Sequence, residues 1–170
     1  PPWLLLNISN LYYATGDVEN AKVKVLEAKK NFSLFINERS REIGLCTVYG
    51  NLGLIAQRQG DYKLAEELFL KSLSNREKLK DSEGVMYSYV QLVSLFLNNK
   101  SQFYKSNEYF DKAKFLFNNI NKAPGIDENS LIQKYYGYLL LQYGEYYRSK
   151  KEFDTALNYL NEAKKLLADF

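Results

Sequence analysis

The sequence of 170 residues contains no histidine, and this absence removes several kinds of catalytic site. A nucleophile activated by histidine, a histidine-ligated zinc site and a phospho-acceptor histidine are all excluded. No glycine-rich loop ends in the lysine and serine or threonine that a phosphate site requires. Adjacent carboxylates such as Glu66 and Glu67 point about 100° apart on a helix and form no acid–base pair. We expect a protein that is not an enzyme and uses no cofactor or metal.

Cysteine is nearly as scarce. Cys46 is the only one, so no internal disulfide can form, which fits a reducing compartment and favours the cytoplasm. We expect its thiol to be buried and unreactive. The longest purely apolar runs, WLLL and YLLL, are far shorter than the roughly 20 residues of a membrane helix, so no membrane contact is expected. The opening Pro-Pro, in place of Met, is expected of a processed product or a fragment of a larger protein.

Neither sign of charge dominates the sequence. Lys and Arg number 23 against 20 Asp and Glu, and the net charge of +3 is spread evenly over the two halves. Without a basic face, nucleic acid is not expected as a partner. Only 3 prolines and 9 glycines occur, which disfavours an architecture of strands and turns, while 46% hydrophobic residues are ordinary for a globular protein.

A short pattern recurs four times along the chain. The copies are GDVENAKVKVLEA (16–28), GDYKLAEELFLKS (60–72), SQFYKSNEYFDKA (101–113) and KEFDTALNYLNEA (151–163). Each carries two small residues separated by two helical turns, so both lie on one helix face where a neighbouring helix can approach closely. These residues are Ala21 and Ala28, Ala65 and Ser72, Ser106 and Ala113, and Ala156 and Ala163. The spacing predicts that each copy packs against a partner helix.

The predicted partner helices precede the copies, at approximately 2–15, 40–59, 83–98 and 129–149. In them Ser9, Gly53 and Gly144 supply the matching small residues, and Asp17 and Asp61 are expected to cap the helices that follow. We predict a single domain over 1–170, with repeats at about 2–39, 40–81, 82–121 and 129–170. Pro124-Gly125 breaks the pattern, and we predict a loop over 121–128. We interpret this loop as a tolerated insertion, with an extra binding loop as the alternative.

This pattern resembles the tetratricopeptide repeat, or TPR. The second copy matches best, over 46–79, with Leu52, Gly53, Ala56, Gly60, Asp61, Tyr62, Ala65 and Phe69. The sequence departs from the family pattern at Val93, where glycine is usual, and at Ser72 and Ser106, where alanine is usual. The spacing of the copies is similar to the longer-repeat kind of about 40–44 residues. The resemblance implies an all-α solenoid of about four antiparallel helix pairs, wound as a right-handed superhelix, that binds proteins or peptides on its concave face.

A helical wheel aligned on Gly53 and its equivalents separates two faces of each first helix. One face is apolar or small, as in Leu52, Gly53 and Ala56, and is predicted to be packed. The opposite face carries an amide at the same position in all four copies: Asn7, Asn51, Gln91 and Gln142. A row of amides can pair with the N–H and C=O groups of an extended ligand. The alternative is that these are solvated polar residues of a helix surface.

We therefore predict a peptide- or partner-binding face on the first helices. Its residues are Asn7, Asn10, Asn51, Leu54, Arg58, Tyr87, Gln91, Ser94, Tyr138, Gln142 and Glu145. The aromatic residues Trp3, Tyr87 and Tyr138 would either grip ligand side chains or pack against the adjacent repeat. For Arg58 a salt bridge within the protein is favoured over a ligand carboxylate. The lysine-and-asparagine clamp that some TPR domains use for a terminal carboxylate is not recognisable.

Three functions fit this sequence. The leading hypothesis is a non-catalytic scaffold that binds a protein or an extended peptide. The first alternative is a peptide-sensing regulatory module of a larger signalling or transcription-regulating protein. The second is self-association into a homo-oligomer through terminal repeats, because the last helix keeps Leu160, Leu167 and Phe170 without a following cap helix.

Overall fold

The computed structural model describes residues 1–97, 102–120 and 131–168. Within these ranges the chain forms eight α-helices and no strand. They are α1 (Pro2–Thr15), α2 (Val18–Phe32), α3 (Glu38–Arg58), α4 (Tyr62–Lys78), α5 (Ser82–Leu97), α6 (Phe103–Ile120), α7 (Leu131–Ser149) and α8 (Phe153–Leu167). The predicted first helices coincide closely with α1, α3, α5 and α7. The prediction of an all-α fold is confirmed.

Each odd-numbered helix packs along the helix that follows it, which gives the pairs α1–α2, α3–α4, α5–α6 and α7–α8. Contacts then divide the chain into two compact units, Pro1–Asp81 and Ser82–Phe170. In the first unit α3 also contacts α1 and α2, and in the second α7 contacts α5 and α6. The border between the units falls where the predicted second repeat ends. The single domain over 1–170 stays a prediction, and the predicted loop over 121–128 lies outside the described residues.

The turns inside the helix pairs follow the predicted chemistry. The Asp17 side chain accepts a hydrogen bond from the backbone N–H of Asn20, and Asp61 accepts one from Leu64, so both cap the second helix of their pair. Gly16 and Gly60 precede these caps with φ of 90° and 84°, in the left-handed region that favours glycine. In the fourth pair Lys151 holds the equivalent position with φ of 63°.

The small residues are contact points between helices, as predicted. All eight that the repeats share are buried, and so are Ser9, Gly53 and Gly144. A Cβ added at Gly53 would lie 2.4 Å from the Phe69 ring of α4, and one at Gly144 would lie 2.6 Å from Leu160 of α8. The two glycines let the helices of their pairs approach closely.

Serine replaces a usual alanine for a physical reason in the second pair. Ser72 Oγ donates to the backbone O of Cys46 at 2.9 Å and so ties α4 to α3. Ser9 does the same in the first pair, where its Oγ donates to the backbone O of Ala21 at 2.9 Å. A hydroxyl of this size fits between the helices and adds a bond that alanine cannot make.

Two further glycines also permit close approach, Gly44 between α3 and α2 of the preceding pair and Gly137 within the fourth pair, although the repeat pattern did not indicate them. A Cβ at Gly44 would lie 2.3 Å from the Phe32 ring, and one at Gly137 would lie 2.7 Å from Leu167. Leu160 and Leu167 are therefore half-buried against α7, whereas the absence of a following helix had suggested that they were exposed. Phe170 lies outside the described residues.

The core of each unit has its own character. In the first unit aliphatic residues dominate, around Val25, Val48 and Ile55, with Phe32 as the largest member. In the second unit aliphatic residues are joined by a cluster of rings: the Tyr143 ring lies 4.3 Å from Phe110, and the Tyr136 ring lies 4.3 Å from Phe117. Such ring pairs add to the free energy gained from burial of the same area.

Arg76 is a buried cation that the sequence did not single out. It is 7% exposed, and its guanidinium donates to Asp81 Oδ2 at 2.9 Å, Thr47 Oγ1 at 3.2 Å and Ser72 Oγ at 3.3 Å. Arg39 donates to the backbone O of Leu79 at 3.0 Å nearby. These bonds hold the C-terminal end of α4 against α3, and the acidic partner satisfies a charge that would otherwise be costly to bury.

Candidate binding groove

The helical wheel correctly separated the packed face of the first helices. In α5, Tyr89, Leu92, Val93 and Phe96 are all buried, and in α7 Leu140, Tyr143 and Gly144 are buried. The Tyr143 hydroxyl reaches α6, where it donates to Asn107 Oδ1 at 2.9 Å. Burial on α5 extends beyond this face, since Gln91 on the opposite side is also buried.

In the first unit, two residues of the predicted binding face bond to each other. The Asn51 amide donates from Nδ2 to Asn10 Oδ1 at 3.0 Å, which links α3 to α1. Asn51 is buried, Asn10 and Asn7 are exposed, and Leu54 is half-buried. The amides of this unit thus partly satisfy one another, and each retains hydrogen-bonding capacity on its other atom.

Arg58 binds the protein itself, through a backbone group and a ring. Its guanidinium donates to the backbone O of Tyr13 and lies 4.9 Å from the centre of the Tyr13 ring. The expected internal contact is thus present, but it is a hydrogen bond and a cation–π contact to α1.

In the described part of the second unit, three buried amide atoms of the predicted face have no hydrogen-bond partner. Gln91 is 3% exposed, and neither its Nε2 nor its Oε1 has a hydrogen-bond partner in the described part of the chain. Gln142 Oε1 is likewise buried and without a partner there. The two residues occupy the same position in α5 and α7. An unpaired buried amide is costly, at about 1–3 kcal/mol, and its occurrence at both sites calls for an explanation.

A groove of about 660 Å³ lies between α5 and α7 and contains three predicted residues. Its lining consists of Ser94 and Leu97 from α5, and of Leu141, Gln142, Glu145, Tyr146, Ser149 and Lys150 from α7 and its end. Gln142, Glu145 and Ser149 follow one another at helical spacing along one face of α7. Its volume falls within the range of roughly 300–1,000 Å³ that is usual for ligand sites.

Two features of the groove come from pairs of neighbouring side chains. Arg148 donates from Nη2 to the Glu145 carboxylate at 2.5 Å, so the acidic residue of the groove has a counter-ion. The Tyr146 ring stacks on Phe103 at 4.6 Å, which fixes one wall. The Tyr146 ring has a second contact, with the Lys150 ammonium, which lies 5.4 Å from the ring centre.

For Trp3, Tyr87 and Tyr138 the sequence left two alternatives, contact with a ligand or packing within the protein. Trp3 packs edge-on against Phe32 with ring centres 4.7 Å apart, and Tyr87 lies 5.1 Å from Tyr135 of α7. Both make contacts within their own unit. Tyr138 is 39% exposed. Trp3 is 42% exposed despite its ring contact, so Trp3 and Tyr138 both present surface to a ligand.

Sequence reasoning missed part of the groove, namely Leu97, Leu141, Tyr146, Ser149 and Lys150. The signal for Ser149 was present, because it follows Gln142 and Glu145 on the same helical stripe. The others are flanking residues whose long side chains lean into the groove, and a wheel of Cα directions does not show this.

Burial makes the Cys46 thiol and two tyrosine hydroxyls of the described residues harder to ionise. Cys46 is completely buried, and burial raises the pKa of its thiol to about 11, so the thiol stays protonated at neutral pH. Burial also raises the pKa of the Tyr143 and Tyr136 hydroxyls. In the ranges that the structure covers, no three His, Cys, Asp or Glu side chains come together as metal ligands would. The same ranges hold no helix with the length and apolarity to cross a membrane.

The paired helices and the small residues buried between them define an all-α helical-repeat protein of the solenoid class. Residues 47–79 match the family described as tetratricopeptide repeat, which overlaps the best-matching copy of the sequence pattern. Proteins with this repeat generally mediate protein–protein interaction and are typically non-catalytic scaffolds. The resemblance to TPR proteins is thereby supported.

A solved structure shows the same fold over nearly the whole chain. The crystal structure of BtubC (BKLC) from P. vanneervenii superposes with a TM-score of 0.68 at 18% sequence identity. The match covers 98% of the present chain and 63% of BtubC, so the chain spans less than two thirds of that protein. At this identity the likeness concerns the fold. No curated protein matches the chain.

Proposed function

We propose that the chain is a non-catalytic module that binds a protein or an extended peptide, and that the groove between α5 and α7 holds the ligand. The observation that carries this proposal is the Gln142 amide, whose Oε1 is buried without a partner in the described residues although Gln142 lines an open groove. A backbone N–H of an extended ligand would satisfy this oxygen once the Gln142 amide turns toward the groove.

Gln91 adds to the argument because it repeats the arrangement one helix pair earlier. Both of its amide atoms lack partners in the part of the chain that the structure covers. Since Gln91 is 3% exposed, its side chain would have to turn toward the groove to reach a ligand. Ser94, one turn further along α5, already lines the groove. The other predicted residues, Asn7, Asn10, Asn51, Leu54, Arg58, Tyr87 and Tyr138, remain a proposed extension of the binding face.

The test uses peptides selected from a random library displayed on phage, with the purified 170-residue chain as bait. For peptides so obtained, Gln142→Ala should weaken binding by about tenfold, which corresponds to about 1.4 kcal/mol and to one lost hydrogen bond. Asn158→Ala is the matched control, because Asn158 is an exposed amide on α8 away from the groove. Isothermal titration calorimetry measures both affinities.

Two outcomes would contradict this proposal. Either no peptide is enriched, or the two variants bind the selected peptides equally well. Removal of an unpaired buried amide should also leave the free energy of unfolding unchanged or raise it, so circular dichroism in urea separates lost binding from lost folding.

The two alternative functions keep their status as predictions. A regulatory role depends on domains outside this sequence. Self-association was suggested by the last helix, where Leu160 and Leu167 prove to pack against α7, although Phe153 and Leu157 of α8 are exposed.

A further inference from the structure

The groove between α5 and α7 carries one cation whose charge is not balanced. Within the described residues no carboxylate lies within salt-bridge distance of the Lys150 ammonium, which lies 5.4 Å from the centre of the Tyr146 ring. Glu145, the acidic residue of the lining, is bound by Arg148 in a contact of 2.5 Å. A ligand in the groove therefore meets a neutralised carboxylate and a positive charge that is available for pairing.

We propose that the groove recognises an acidic peptide segment, with an Asp or Glu side chain of the ligand paired to Lys150. The inference rests on the proposed function, since it specifies which peptide the groove takes. A carboxylate is the fitting group because it accepts the hydrogen bonds that an ammonium donates and supplies the opposite charge.

The geometry also sets where this carboxylate lies along the ligand. Gln142 and Lys150 are separated by eight residues of α7 and its end, or about 12 Å at the helical rise of about 1.5 Å per residue. An extended peptide advances about 3.3 Å per residue. The acidic residue of the ligand is thus three to four positions from the residue whose backbone N–H binds Gln142 Oε1.

The lining between these two points sets the rest of the pattern. Leu141, Leu97 and Tyr146 present apolar surface, and Tyr146 is held in place by its stack on Phe103. Apolar side chains of the ligand would bury against this surface. The expected ligand motif has one or two apolar residues and an Asp or Glu on either side of them. The acidic residue is three to four positions from the residue that binds Gln142.

A purely structural role for Lys150 is the competing explanation. Its backbone N–H bonds to Tyr146 O and Tyr147 O at the C-terminal end of α7, where a cation also complements the helix dipole. That role predicts an effect on stability alone. Ligand selectivity is the property that distinguishes the two explanations.

The experiment selects peptides from the same random phage library on three baits: the wild-type chain, Lys150→Glu and Lys114→Glu. Lys114 is an exposed lysine on α6 outside the groove lining, so the control changes the net charge equally. Wild type and Lys114→Glu should enrich peptides with Asp or Glu at the spacing given above. Lys150→Glu should lose this enrichment and bind wild-type-selected peptides about 3- to 10-fold more weakly, as for a solvent-accessible ion pair with added repulsion.

Each remaining result overturns a specific claim. Peptides without acidic enrichment, or equal binding by the two lysine variants, would overturn the acidic specificity and leave the proposed function standing. Failure to enrich any peptide on wild type would overturn both. Replacement of the peptide Asp by Asn should weaken binding to the wild type by less than Lys150→Glu does, because it removes the ion pair without adding repulsion. Circular dichroism verifies that all three baits are folded.

Discussion

At the scale of single residues, the most informative positions in this chain are its smallest. Gly53 and Gly144 lie in helix interiors, where glycine costs about 1 kcal/mol relative to alanine. The structure shows what offsets that cost, since the Phe69 ring and the Leu160 side chain occupy the space that a Cβ would need. A residue that weakens its own helix thus allows close packing within the pair.

Gly53→Ala should accordingly destabilise the chain. The added Cβ would lie 2.4 Å from the Phe69 ring, and overpacking of this kind costs about 1–3 kcal/mol, more than the helix propensity gained. We expect a net loss of about 1–2 kcal/mol in the free energy of unfolding, measured by urea denaturation. The substitution should cost much less in a Phe69→Leu background, and an equal cost in both backgrounds would rule out the ring as the cause.

The sequence predicted buried positions well and the state of the amides poorly. Small residues two turns apart indicate a packed face because few other causes produce that spacing. For Gln91 the helical wheel predicted which face of α5 the side chain lies on, but not how deeply it is buried. The residue is 3% exposed. The sequence did not indicate the burial of Arg76, because Asp81, Thr47 and Ser72 converge on it only in the fold.

At the scale of elements, the turn inside the first, second and fourth helix pairs has one position in the left-handed region. Gly16 and Gly60 occupy it in the first two pairs, and Lys151 occupies it in the fourth with φ of 63°. A residue with a Cβ is strained there by about 1–2 kcal/mol. The sequence pattern was sufficient to identify the fourth copy. The strain at Lys151 could be identified only from the backbone φ angle in the structure.

Exchange of residues at this position should shift stability in opposite directions. Lys151→Gly should stabilise the chain by about 0.5–1 kcal/mol, and Gly60→Ala should destabilise it by about 1 kcal/mol. A Cβ at Gly60 meets no atom within 4 Å, so the second effect isolates the backbone conformation. Thermal unfolding followed by circular dichroism measures both. A loss of stability in Lys151→Gly would show that the lysine side chain contributes more than its conformation costs.

At the scale of the whole molecule, contacts group into two units of two helix pairs each. The sequence predicted the four pairs from local spacing, but it carries no comparable signal for contacts between helices that are distant along the chain. In repeat proteins stability is approximately a sum over repeats and their nearest neighbours. Local damage is then expected to remain largely local.

Native-state hydrogen exchange should reveal this locality. Gly53→Ala is expected to accelerate amide exchange mainly within residues 1–81, and Gly144→Ala mainly within residues 82–168. Mass spectrometry of peptic fragments resolves the two regions, and each variant serves as the control for the other. Uniform acceleration over both regions in either variant would show that the chain opens as one cooperative block.

The contact between Trp3 and Phe32 has a practical consequence for optical studies. Trp3 is the only tryptophan of the chain, and it is held at the edge of the Phe32 ring in the first unit. Its fluorescence is therefore a natural reporter for α1 and α2. The groove is lined by a tyrosine and lies in the other unit. A tryptophan carried by a bound peptide would add a second emission signal to that of Trp3, so a Trp3→Phe background would make the intrinsic fluorescence of such a complex readable.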